Sequence, residues 1–152
     1  MVECRRGNLF DSGAVAIVNT VNCVGVSGKG VALECKNRYP DNYIAYRDYC
    51  SSGLLRPGML FPFLHKPTMT WILNVATKDH WRNPSKLEWV DLGARLIRAW
   101  CLSSWVTTVA IPPMGCGNGG LRWADVCPIL YREFSNQLFL TALLFEPSSY
   151  SG

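Results

Sequence analysis

Two stretches of this sequence are dense in glycine, and each directly follows an apolar run. The first reads N-T-V-N-C-V-G-V-S-G-K-G over Asn19–Gly30, with glycines at 25, 28 and 30. The second reads P-P-M-G-C-G-N-G-G-L-R-W over Pro112–Trp123, with four glycines in six residues. Glycine lets the main chain turn sharply and approach a ligand closely. Amides freed in such a turn, above a helix N-terminus, suit an anion such as phosphate. Neither stretch is a Walker A loop, because Lys29 lacks that motif's spacing and its following Ser or Thr. Two cradles of this kind suit a diphosphate held from both sides. A third segment, Thr77–Lys86, also follows an apolar run and carries Lys78 at its start, then His80, Trp81, Arg82 and Lys86.

Strands and helices must bring these segments together. The pattern alternates between the two, which argues for a layered α/β fold. Strands are expected at Val2–Arg6, Ala14–Thr20, Met59–Leu64, Thr70–Ala76, Val106–Ile111 and Leu138–Phe145. Ala14–Thr20 is a nearly continuous β-branched run, the mark of a strand covered on both faces. Helices are expected at Gly30–Asn37 and Asn42–Cys50. A longer one carries Leu87, Val90, Ala94, Ile97 and Cys101 at spacings of three and four, with Ser85 as its N-cap. A last helix is expected at Val126–Gln137, with Pro128 in its first turn. Ligands of open α/β sheets bind outside the carboxyl ends of strands, so the three loops are expected to meet there.

Composition narrows the class. The 152 residues suffice for one domain with its own core. An apolar fraction of 49% and a charged fraction of 17% exclude a disordered or fibrous chain. A net charge of +4 is mildly basic, short of a dedicated duplex-DNA binder. The seven cysteines form no C-x-x-C pair, so they read as small core residues of a reduced, cytoplasmic protein. With two histidines in the chain, no metal or cofactor is expected. No apolar stretch reaches membrane-spanning length.

With these motifs in view, the chain resembles the macrodomain family, and within it the branch of DNA ADP-ribosyl glycohydrolase antitoxins. The matching stretches are G-N-L-F at Gly7–Phe10, Asn19–Glu34, A-T-K-D-H-W-R at Ala76–Arg82, S-K-L-E at Ser85–Glu88 and I-P-P-M-G-C-G-N-G-G-L at Ile111–Leu121. The resemblance implies a three-layer α/β/α fold: a mixed central sheet between helices, filling residues 1–147 ahead of a short tail at Ser148–Gly152. It implies ADP-ribose as ligand, ADP-ribosylated single-stranded DNA as substrate, a partner ADP-ribosyltransferase toxin and a monomeric chain. Relatives of this kind can carry a further C-terminal region, so the sequence is expected to end near a domain boundary.

Site residues carry over by position. Asn8 and Leu9 match the adenine end, and Asn19, Thr77 and Pro113 are expected to bind ADP-ribose as well. Gly25, Val26, Ser27, Gly28, Lys29 and Gly30 match the first phosphate loop; Gly115, Cys116, Gly117, Asn118 and Gly119 match the second. Asn22 falls beside the distal ribose and Lys78 over the reacting sugar, the two expected catalytic positions. Lys78 acts either protonated, stabilising charge on the departing base, or neutral, attacking the anomeric carbon. His80, Trp81, Arg82 and Lys86 are expected to contact DNA, by stacking and by phosphate pairing. One position departs from the protein-directed relatives, which carry an aspartate where this chain has Gly119. Hydrolysis of glutamate-linked ADP-ribose or of O-acetyl-ADP-ribose, and ADP-ribose binding without catalysis, are the alternatives.

Overall fold

The computed structural model describes residues 1–147, so the expected tail at Ser148–Gly152 lies outside the described residues. The elements run β1 (Val2–Arg5), β2 (Ala16–Asn22), α1 (Gly30–Arg38), α2 (Pro40–Ser51), β3 (Leu60–His65), β4 (Thr70–Lys78), α3 (Leu87–Ser103), β5 (Thr108–Ile111), α4 (Trp123–Phe134) and β6 (Thr141–Phe145). The strands form one mixed sheet in the order β1-β6-β5-β2-β4-β3. All neighbours are parallel except β3, which runs antiparallel to β4 at the edge.

Helices cover both faces, which is why the central strands are apolar at nearly every position. Side chains alternate across the sheet. Ala16 and Val18 of β2 pack with Val90, Ala94 and Ile97 of α3 and with Val126 and Leu130 of α4. Ile17 and Val21 turn the other way, toward Cys35 of α1 and Tyr46 of α2 respectively. The result is the three-layer α/β/α arrangement expected.

Several boundaries moved, each for a physical reason. Strand β4 continues to Lys78, so the lysine ends a strand instead of opening a loop. Strand β6 begins only at Thr141, and Leu138 and Phe139 stand 85% and 82% exposed before it. Apolar character there marks an uncovered turn, not sheet. Helix α4 begins at Trp123, three residues earlier than expected, which puts Pro128 in its second turn. Both Pro128 and Ala124, whose carbonyl loses its helical partner, are exposed, so the proline is tolerated there. Helix α3 begins at Leu87, and Lys86 is the residue at its N-cap, without a side-chain bond. Ser85 does not cap it.

Candidate functional site

The three loops do meet at the carboxyl ends of β2, β4 and β5. Asn22 lies opposite Lys78 across the β2–β4 pair. From there the Cys23 amide donates to the Asp79 carbonyl at 3.3 Å, joining the first glycine loop to the lysine segment. The Ser85 amide donates to the Gly119 carbonyl at 2.9 Å, joining that segment to the second glycine loop. The circle closes where a Cβ on Gly30 would stand 3.7 Å from Asn118 Nδ2. The two cradles therefore face one another across a narrow gap.

The first loop is folded by one side chain. Asn22 Oδ1 accepts from the amides of Val24 (3.0 Å), Gly25 (3.1 Å) and Val26 (3.4 Å), while its Nδ2 donates to the Val26 carbonyl at 2.8 Å. Tyr46 of α2 secures it from below, its hydroxyl 2.7 Å from the Asn22 carbonyl and 3.0 Å from Oδ1. Tyr43 adds a bond to the Gly25 carbonyl at 3.1 Å. Gly25 (φ 85°) makes the turn. With three amides committed to Asn22, the cradle's donors are those that follow. Among the described residues, the amides of Ser27, Gly28 and Lys29 have no partner, and α1 opens at Gly30 with no side-chain cap.

The second loop is folded by its own backbone. Consecutive turns run from Cys116 to the Pro113 carbonyl (3.1 Å), Gly119 to Cys116 (3.4 Å), Gly120 to Gly117 (3.0 Å) and Leu121 to Gly115 (2.9 Å). Gly117 and Asn118 are exposed at the crest, and their amides are free among the described residues. Burial pushes the Cys116 thiol up to about 11, so it is not a thiolate nucleophile near neutral pH.

Lys78 ends β4 opposite Asn22, and its exposed Nζ donates to the Trp81 carbonyl at 3.4 Å. The turn that presents this carbonyl is clipped by Asp79, whose Oδ1 accepts from the His80 amide (2.7 Å) and Asn83 Nδ2 (3.2 Å). The Asn83 bond, with help from the His80 amide, holds the Asp79 carboxyl below its ordinary range. His80 stacks on Trp81 at 5.3 Å, and the Arg82 guanidinium sits 4.6 Å from the Trp81 ring. Lys86 lies 5.1 Å from the ring of Trp89 in the first turn of α3. Trp81 is 46% exposed, so this cation–aromatic edge is open to a ligand.

Three expected ligand residues have other partners. Asn19 is buried on the α1–α2 side of the sheet and donates to Asn74 Oδ1 at 3.0 Å, in an amide chain that continues to Asn42. Strand parity puts it beneath the cleft instead of in it. Asn22, expected beside the distal ribose, has its oxygen committed to the loop. Asn8 caps the turn after β1, accepting from the Phe10 amide at 2.9 Å and donating to Glu34 at 3.1 Å. Leu9 and Thr77 are buried and Pro113 half-buried. Sequence reasoning missed Tyr46, Asn74 and Ser85. Tyr46 and Asn74 sit inside a regular helix and strand, where nothing in spacing separates a buried hydrogen-bonding side chain from an ordinary one.

Two hollows lie away from the three loops. One of about 250 Å³ is at the amino ends of β2 and β4, around Phe10, Tyr39 and Met69. Another of about 440 Å³ lies between β3 and α3, around Leu60, Leu96 and Trp100. Neither touches the glycine loops.

A six-stranded mixed sheet between two helical layers, with two glycine-rich loops at neighbouring strand ends, defines a three-layer α/β/α domain. The Macro domain profile matches residues 18–130, and the chain belongs to the macrodomain family. It is 44% identical over 128 residues to a Thermus aquaticus protein named DNA ADP-ribosyl glycohydrolase, a match covering 83% of this chain and 36% of that one. Among solved structures, the macrodomain of Mycobacterium tuberculosis DarG superposes with a TM-score of 0.94 at 39% identity, covering 97% of this chain and 99% of that one. Thermosipho africanus DarTG in complex with ADP-ribose gives 0.88 at 28% identity, covering 96% and 42%. The chain spans less than half the length of the curated relatives it matches.

Proposed function

We propose that this macrodomain is a glycohydrolase that releases ADP-ribose from thymidine in single-stranded DNA, and that it serves as antitoxin to a DNA ADP-ribosyltransferase. One observation carries the reading: the segment that opens with Lys78 is tied by its backbone to both glycine loops, through Asp79 to Cys23 and through Ser85 to Gly119. The free amides of Ser27, Gly28 and Lys29 on one side, and of Gly117 and Asn118 on the other, bind the diphosphate. This leaves the distal ribose near Lys78. As the bond from the anomeric carbon to the base nitrogen breaks, its electron pair leaves with the base. The Lys78 ammonium stabilises that charge, water adds to the anomeric carbon, and the water's proton ends on the base. Asn22 acts from behind, by holding the first loop in shape.

Support for a DNA substrate comes from the edge beside Lys78. Trp81, half-exposed beside the His80 ring and the Arg82 guanidinium, offers its uncovered surface to a neighbouring base, and Arg82 and Lys86 offer charges for backbone phosphates. Support for a transferase partner comes from a Thermosipho africanus relative, 32% identical over 146 residues, whose name describes a fusion of transferase and glycohydrolase. Gly119, buried and without a side chain, leaves the second loop no carboxylate of the kind that glutamate-directed relatives carry.

The test is release of ADP-ribose from a thymidine-modified oligonucleotide and, in parallel, from a glutamate-modified protein. Release is expected from DNA only. Lys78→Ala is expected to lose at least roughly 100-fold in release while ADP-ribose still binds. Release from protein alone overturns the DNA reading, and binding without release makes the domain a reader.

A further inference from the structure

The side chain of Ser85 lies against Gly119 in a contact that neither helix capping nor a hydrogen bond of its hydroxyl explains. Ser85 precedes α3 without capping it, and its hydroxyl, although buried, has no hydrogen-bond partner among the described residues. Its amide is tied to the Gly119 carbonyl at 2.9 Å. Gly119 is buried too, and its backbone is not in the left-handed region that requires glycine at 115, 117 and 120. Glycine is needed there for volume: a Cβ would lie 3.0 Å from that of Ser85 and closer still to its hydroxyl. Ser85 reaches the start of the same loop as well, where a Cβ on Gly115 would lie 3.3 Å from its own. One small side chain thus lies under Gly119 and, together with Leu121 and Val90, beside Gly115, at the two ends of the loop whose crest is Gly117–Asn118.

We propose that Ser85 and Gly119 are a size-matched seat that fixes the second glycine loop against the lysine segment, making Ser85 a positioning residue for the diphosphate site. Ser85 lies on the segment that begins with Lys78, so the seat sets the distance between the loop and the amine. Volume added on either side of it lifts the loop crest away from Gly30 and widens the gap that the diphosphate bridges. The proposal rests on the reading that the cleft takes ADP-ribose.

The experiment is a volume swap. Gly119→Ala and Ser85→Val each add bulk to a filled contact, and each is expected to weaken ADP-ribose binding by roughly tenfold or more in calorimetry. The double variant Ser85→Gly with Gly119→Ala returns the volume and is expected to bind within about threefold of the parent. Release from a modified oligonucleotide should follow the same order. Single variants that bind like the parent overturn the seat, and so does a double variant no better than Gly119→Ala. If Gly119→Ala does not fold, the double variant decides: folded and binding supports the seat, unfolded or inert overturns it. Absence of ADP-ribose binding by the parent protein instead removes the functional reading itself, so the two failures are distinguishable.

Discussion

The two glycine loops reach the same cleft, yet they are built differently. The first is shaped by side chains from beneath, with Asn22 gathering three amides and Tyr46 holding Asn22. The second is shaped by turns within its own backbone and needs only a small wedge below it. A loop organised by a buried amide transmits damage at one residue to the whole cradle. A loop organised by local turns absorbs most changes at its crest and fails only where it is seated. Glycine content alone does not separate these two designs, although it announces both.

The largest expected effect is therefore at Asn22. Replacing it with Ala removes the acceptor of three loop amides, that of Gly25 buried and those of Val24 and Val26 partly so, while the Tyr46 hydroxyl keeps the backbone carbonyl; this should cost roughly 2 kcal/mol of stability in urea unfolding. Ordering the freed loop on binding should cost on the order of 100-fold in ADP-ribose affinity. Asn118→Ala, at the exposed crest of the second loop, should change stability by less than about 0.5 kcal/mol. Equal losses of stability at the two sites would erase the distinction between the loops.

This difference also explains what the sequence disclosed. The apolar runs of β2, β4 and β5 and the glycines after them were legible because strand burial and turn chemistry leave marks in consecutive residues. So the fold and the meeting of three loops were both expected. Which way a polar residue points was not legible. Asn19 and Asn22 stand three apart in one strand, and the two were assigned to the ligand alike. Parity in fact sends Asn19 beneath the sheet to Asn74, while the bulge between Val21 and Asn22 turns Asn22 into the loop. Ser85 fits a capping pattern by spacing, but the second loop draws it aside, a tertiary contact that no local pattern encodes. Leu138 and Phe139 misled in the opposite sense, since an apolar pair reads as strand wherever the sheet ends.

A smaller effect separates glycines required by packing from those required by conformation alone. Gly25 has φ 85°, and a Cβ there would stand 3.3 Å from Arg47 Cγ and 3.6 Å from Cys50 Cβ. Gly117 has φ 66° with nothing within 4 Å. Both should suffer from Ala through the left-handed backbone, by about 1–2 kcal/mol each. Gly25→Ala should lose roughly a further 1 kcal/mol by crowding α2, visible as a melting point about 3 °C below that of Gly117→Ala. The reverse order would show that the first loop is the more yielding of the two, against the account given for Asn22.

The smallest effect is electrostatic and uses one cysteine from each loop. Cys23 and Cys116 are both raised from an ordinary 9.0 to about 11. A thiol is neutral when protonated, so a raised value means that the folded state holds its proton more tightly than the unfolded chain. Each thiol's contribution to stability is therefore complete below pH 9 and is lost as pH rises toward 11. The causes differ between the loops. For Cys116 burial is the cause, whereas for Cys23 burial leads and the charges of Cys50 and Asp79 add to it. Salt screens charges but does not relieve burial. Unfolding measured from pH 8 to 11 should thus give a shallower slope in Cys23→Ala and in Cys116→Ala than in the parent. The share removed by Cys23→Ala should shrink in high salt, while the share removed by Cys116→Ala stays constant. Equal salt responses would mean that the first loop, like the second, is governed by burial alone at its cysteine.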